Sequence, residues 1–135
     1  MGSIPLGAKG TFTLSVAPDH LANQFKDAML PPVLATPVMI LVMENAALNA
    51  IRPFLEPGES AVGIGVNVRH VAATPVGHRV TAEAEVTGVA GRRIEFKVSA
   101  HDEVEEIGHG THERMVVVLT RINDRLATKS KPQRP

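Results

Sequence analysis

The run Thr36-Pro37-Val38-Met39-Ile40-Leu41-Val42-Met43-Glu44-Asn45-Ala46-Ala47-Leu48 is apolar almost all round and carries one carboxylate near its middle. A helix of that composition belongs inside a fold rather than on its surface. Thr36 reads as the N-cap and Pro37 as the first helical residue, where the missing N–H costs nothing; Pro53 closes the helix near Arg52. At about 100° of turn per residue, Glu44 projects among Pro37, Ile40, Leu41, Leu48 and Ile51, while Asn45, Asn49 and Arg52 form a separate polar stripe. An ionised carboxylate on an apolar face is costly unless it is partnered or its pKa rises, and catalytic acids and bases are made that way. The competing reading of Glu44 is a structural ion pair with an arginine.

On either side of this helix the period changes to two. Thr11 to Val16 alternates apolar and hydroxyl residues, which predicts a half-buried strand ended by Pro18. Residues 18–35 form a loop with a short helical piece around His20 to Met29 and a stiff Pro31-Pro32 approach to the helix. After the turn Glu56 to Glu59, the residues Val62, Ile64, Val66 and Val68 alternate with Gly63, Gly65, Asn67 and Arg69, and His70 continues the apolar side. Arg79 to Val89 and Arg93 to Ala100 alternate likewise across a turn at Ala90-Gly91, and a polar bend, Asp102 to Glu106, leads to a last strand from about Ile107 to Arg121. Antiparallel strands with one apolar face need a cover, and the only long apolar element is the central helix. The expectation is an α+β fold, an antiparallel sheet wrapped around a helix, in a single domain over 1–126 with a disordered tail at 127–135.

Composition narrows the function classes. The 135 residues are 44% hydrophobic and 21% charged, with Lys plus Arg equal to Asp plus Glu at 14 each, so there is no basic field for a phosphate backbone. Trp and Tyr are absent, which removes the usual base-stacking surfaces, and nucleic acid is not an expected partner. The absence of cysteine excludes disulfides, thiolate zinc sites and a Cys nucleophile, and fits a reducing compartment. The apolar stretch Val38 to Met43 is too short to span a bilayer, and no signal peptide is evident, so the expected setting is cytoplasmic, without membrane attachment.

Two further side chains suit chemistry. Strand alternation puts the His70 imidazole on the face that meets the helix, so that it and Glu44 are expected to share one enclosed space, as general acid–base work requires. Thr36 offers a hydroxyl at a helix N-terminus, where free N–H groups and the dipole favour an oxyanion. A core histidine and a plain N-cap are the competing readings. Among six histidines, His101, His109 and His112 with Glu113 suggest a metal only until the strand period is applied. His109 and His112 then face opposite ways, and no metal is expected. The segment Gly108 to Arg114 stands out because polar groups and glycines interrupt an otherwise apolar strand, and strand glycines admit a close backbone or ligand. No phosphate loop, nucleophile elbow or dinucleotide fingerprint is present.

Several long stretches together resemble the fluoroacetyl-CoA thioesterase branch of the hotdog-fold thioesterases: Thr36 through Glu44, the turn Pro53 to Glu59, Gly63 to His70 followed by Ala73-Thr74-Pro75, and Val98 to Asp102 continuing to Gly108–Arg114. The resemblance covers approximately residues 5 to 125. It implies a hotdog fold whose sheets lie side by side in a dimer, with acyl-CoA entering at the interface. It also implies cofactor-free hydrolysis of an acyl-CoA thioester by a Thr, Glu and His set that falls on Thr36, Glu44 and His70. Gly63 and Arg114 match positions near the family's site. Leu30 stands in the loop where the fluoroacetyl enzyme has an aromatic gate, and Pro37 stands where that enzyme has a small flexible residue. The resulting expectation is a short-chain acyl-CoA thioesterase acting as a homodimer or higher homo-oligomer. The rivals are a hotdog enoyl-CoA hydratase, for which Asp102 is the only nearby aspartate, and a non-catalytic acyl-CoA binding module.

Overall fold

The computed structural model describes residues 1–132. The chain runs β1 (Lys9–Ser15), a one-turn helix α1 (Ala22–Phe25), the long helix α2 (Thr36–Ile51), β2 (Glu59–His70), β3 (Arg79–Ala90), β4 (Arg93–His101), β5 (Glu106–Val118) and α3 (Leu119–Lys129). The strands form one antiparallel sheet in the order β1-β3-β4-β5-β2. It is the hotdog arrangement: the sheet curls around α2 and its concave face supplies the other half of the core.

The sequence shows why α2 is gripped so closely. Val38, Met39, Val42, Met43, Ala46, Ala47, Ala50 and Ile51 are all buried, and the alanines let strands approach the helix backbone. Gly10 of β1 lies so near that a Cβ there would overlap the Ala46 carbonyl and the Ala50 backbone. The opposing side chains are Val80 and Val86 from β3, Ile94, Phe96 and Val98 from β4, and Ile107 and Val116 from β5. Phe96 is fully buried, and truncating such a ring costs about 3–5 kcal/mol, a large part of a small domain's stability.

One irregularity governs the site. The β2–β5 register shifts between Gly63 and Gly65, so Ile64 has no partner in the ladder. Before this bulge, Ala61 and Gly63 pair with the inward-facing Val116 and Arg114. After it, Val66, Val68 and His70 pair with His112, Gly110 and Gly108 and share their inward side. The uninterrupted alternation read from the sequence therefore holds only from Val66 onward. Val62 faces out with Met115, because an extra residue flips the side-chain phase.

Other differences are local. The helical piece expected over His20 to Met29 shrinks to α1 and a single tight turn at Pro18–His20. The last strand ends at Val118, and α3 takes the three residues up to Arg121 as well as part of the expected tail, through Lys129; residues 133–135 of that tail lie outside the described residues. Leu119, Ile122 and Leu126 recur at helical spacing here, a signal the strand reading absorbed.

The sheet has two edges. That of β1 is short and carries Lys9, Thr11, Thr13 and Ser15 on its exposed side. That of β2 is twelve residues long, with Val62, Ile64 and Val66 exposed by 40%, 45% and 43%. A long apolar edge of this kind invites pairing with another chain.

Candidate active site

Thr36 opens α2 and His70 ends β2, and the fold brings them together: the Thr36 hydroxyl lies 2.8 Å from His70 Nδ1. Thr36 is not the N-cap; that position is Ala35, and the hydroxyl expected to close the helix end is spent on the imidazole. Pro37 has no N–H, and the Val38 N–H already donates to the Ala35 carbonyl at 3.0 Å. Of the first three residues of α2, only Thr36 retains an amide for an oxyanion. Burial lowers the His70 pKa, opposed in part by the Ala72 backbone, so the ring is neutral at pH 7. Its Nε2 is buried without a hydrogen-bond partner among the described residues.

The Thr36–His70 pair sits in the wall of a cleft of about 390 Å³, whose other walls are mainly Leu30, Pro31, Val33, Leu34, Val71 and Ala72. Leu30 thus lines the same cleft as the Thr36 hydroxyl. Lys26 stands at the same cleft and is the cation nearest to it in the chain's own loop; nothing in the local sequence pattern singled it out.

Glu44, Gly63 and Arg114 form a second group. A Cβ on Gly63 would lie 2.8 Å from Glu44 Oε2, and Arg114 Nη1 is 3.7 Å from the same oxygen. Arg114 is only 8% exposed, and its Nη2 donates to the Ala61 carbonyl at 2.6 Å. Burial lowers its pKa and Glu44 opposes the shift. The Glu44 side chain itself is 37% exposed. Its face of α2, with Pro37 and Leu41 exposed and Ile40 and Leu48 half-buried, is the side the sheet leaves uncovered. The helix is apolar all round, so its pattern alone did not say which side the sheet takes.

The expected meeting of Glu44 with His70 does not occur within one chain. Thr36 and Glu44 are two turns apart on α2, roughly 12 Å along its axis, and each is matched to a different part of β2. His112, considered from the sequence only as a metal ligand, belongs to the Glu44 group: its Nε2 lies 3.2 Å from Arg114 Nη1. Counting inward positions back from Val116 through Arg114 reaches it, so the signal was present. His109 points the other way, as the strand period requires, and is exposed.

Asp102 is committed elsewhere. Its Oδ1 accepts from the Val104 and Glu105 backbone at 2.8 and 2.9 Å, and its Oδ2 from the buried Thr74 hydroxyl at 2.9 Å. Burial would raise its pKa, but these donors hold it low. An aspartate fastened to a bend is poorly placed for hydration chemistry.

Proteins of this shape are known. A solved fluoroacetyl-CoA thioesterase aligns over 96% of this chain and 99% of its own, with 40% identity and a TM-score of 0.89. A thioesterase superfamily member from Thermus thermophilus aligns over 96% and 95%, with 31% identity and a TM-score of 0.89. Fold and likeness together define a hotdog thioesterase. Residues 16–119 match the model of the fluoroacetyl-CoA-specific thioesterase family, and the chain belongs to that family. It is 48% identical to the fluoroacetyl-CoA thioesterase of Streptantibioticus cattleyicolor over 103 residues, 76% of this chain and 74% of that protein. Among the described residues no helix is long and apolar enough to cross a membrane.

Proposed function

We propose that the protein hydrolyses short-chain acyl-CoA thioesters to the free acid and CoA, at a site shared between two copies of the chain. The observation that carries the reading is the 2.8 Å contact between the Thr36 hydroxyl and a neutral, buried His70 in the wall of an apolar cleft. His70 Nδ1 takes the Thr36 proton as Oγ1 attacks the thioester carbonyl, and the imidazolium returns it to the departing CoA sulfur. Water, activated by the same ring, then releases the acid from Thr36. Direct attack by a His70-activated water gives the same products without the covalent intermediate.

Glu44 joins this chemistry from a second subunit. A two-fold axis between the middle of α2, near Ile40, and the middle of β2, near Val66, sets Thr36 and His70 of one protomer against Glu44, Gly63 and Arg114 of the partner subunit. The half-covered face of α2 and the apolar β2 edge are the surfaces such an axis would bury. Leu30 in the cleft wall favours a short aliphatic acyl group over selection of a fluorinated one. The catalytic domain on this reading is residues 1–126, working in the cytoplasm without a cofactor. Release of free CoA from a panel of acyl-CoA esters tests the assignment: hydrolysis of short acyl chains is expected, and release from none of them overturns it.

A further inference from the structure

His112 is only 2% exposed and is stacked on Phe96 of β4, with ring centroids 5.8 Å apart and planes inclined by 25°. Its two nitrogens have unambiguous partners. The Gly65 carbonyl, 2.8 Å from Nδ1, can only accept, so Nδ1 carries the proton. Arg114 Nη1, 3.2 Å from Nε2, can only donate, so Nε2 offers a lone pair. The ring is neutral in this tautomer. Its charged neighbours are Arg114 and Glu113 on β5 and Glu44 on α2; β4 presents Phe96 and β2 the Gly65 carbonyl. Burial, the largest influence, lowers its pKa and keeps it neutral at pH 7.

A buried guanidinium with a half-exposed counter-ion needs fixing. Arg114 Nε has no partner among the described residues, and the 3.7 Å approach to Glu44 Oε2 is too long to hold the fork by itself. The remaining tethers are the Ala61 carbonyl on Nη2 at 2.6 Å and two on Nη1, the nitrogen that faces Glu44: the His112 lone pair at 3.2 Å and, at the outer limit of a hydrogen bond, the Glu44 backbone carbonyl at 3.5 Å. We propose that His112 is a positioning residue for thioester hydrolysis, holding Arg114 where its guanidinium orients the Glu44 carboxylate. The proposal rests on the thioesterase reading above.

Two conservative substitutions separate this role from support of the β2 bulge. In His112→Gln the amide oxygen reaches the position of Nε2 and can accept from Arg114, while the Nδ1 donor is lost. In His112→Asn the amide nitrogen takes the position of Nδ1 and can donate to Gly65, while the acceptor is lost. Positioning through Arg114 predicts that His112→Asn lowers kcat about 10-fold or more with KM within about twofold, and that His112→Gln keeps kcat within about threefold of the parent. A bulge-supporting role predicts the reverse order, and that result, or equal losses in both variants, overturns the proposal. Nitrogen-15 NMR of the unmodified protein gives a readout without substrate or mutation. His112 is expected with Nδ1 protonated and Nε2 bare, and the Arg114 Nη protons with slowed exchange; a protonated Nε2, or exchange as fast as at the exposed arginines, overturns it. If the parent protein releases no CoA, the thioesterase reading falls, and these NMR signals alone decide the placement of Arg114.

Discussion

Gly63 faces Glu44 across the β2–α2 interface with no room for a side chain between them: a methyl group at Gly63 would stand 2.8 Å from the carboxylate oxygen. A Cβ contact that close must displace something, and the carboxylate is the movable partner because its side chain is 37% exposed. Gly63→Ala is therefore expected to lower kcat about 10-fold or more while Tm changes by a few degrees at most. Steady-state kinetics beside a thermal melt check this, and unaltered turnover would show that the carboxylate need not occupy that place.

A site shared between subunits has a signature in mixed dimers. Thr36→Ala and Glu44→Gln should each cost about 10²-fold or more in turnover. In a hybrid of the two, one site carries both changes and the other carries neither. Subunit exchange in an equal mixture should then recover about a quarter of parental activity, half the dimers being hybrids with one intact site. Sites built within single chains recover nothing.

The acid limb of kcat/KM reports the imidazole that must be neutral. Because burial lowers the His70 pKa from 6.5, the limb should be centred below that value, with activity rising as pH rises. Burial lowers the His112 pKa from 6.5 as well, so the limb is best read in His112→Gln, which leaves one of the two rings. Adding His70→Ala should remove it; a limb centred above 6.5, or one that survives the substitution, would assign the proton elsewhere.

Stability should follow the same two rings. Both folded-state pKa values lie below the unfolded value of 6.5, so the unfolded chain binds protons first and stability falls as pH drops below 6.5 toward the folded values. Glu59 and Asp102 are shifted down from 4.5 and 3.8, so their contributions fade only as pH falls below those values. Urea midpoints between about pH 7.5 and 5 should therefore decline with acid, and less steeply in the His70→Ala, His112→Gln double variant. A flat midpoint over that interval would mean that neither ring is held neutral.

The sequence exposed the fold readily because helix and strand periods are clean: α2, β3 and β4 lie within a residue or two of their expected bounds. It was less clear where one irregularity resets a pattern. Nothing in Val62 to His70 announces that Ile64 drops out of register; two flanking glycines were the only hint. The C-terminal turn from β5 into α3 was hidden by the apolar run Met115 to Leu119, which suits either element. The grouping of Thr36 with His70 came from the family resemblance, since the strand and helix periods alone set His70 against Glu44; the 2.8 Å contact arises because the topology brings the start of α2 to the end of β2. The separation of Glu44 from them was not legible, since helical pitch fixes a distance along α2 but says nothing of a second chain. His112 was in view as a metal candidate, although the inward period running back from Val116 through Arg114 also reaches it, and its burial beside Arg114 gives it another role.

The extra residue at Ile64 works like a reading-frame change in three dimensions. It lets an odd-numbered glycine and an even-numbered histidine of the same strand look toward the same helix, which a regular strand forbids. Substitution along β2 can tune this arrangement but neither create nor erase it, whereas loss of a single codon would turn His70 outward and leave the sheet able to form. Chain length between Gly63 and His70 is thus itself a functional character, and relatives that differ there by one residue are expected to keep the shape and part with the chemistry.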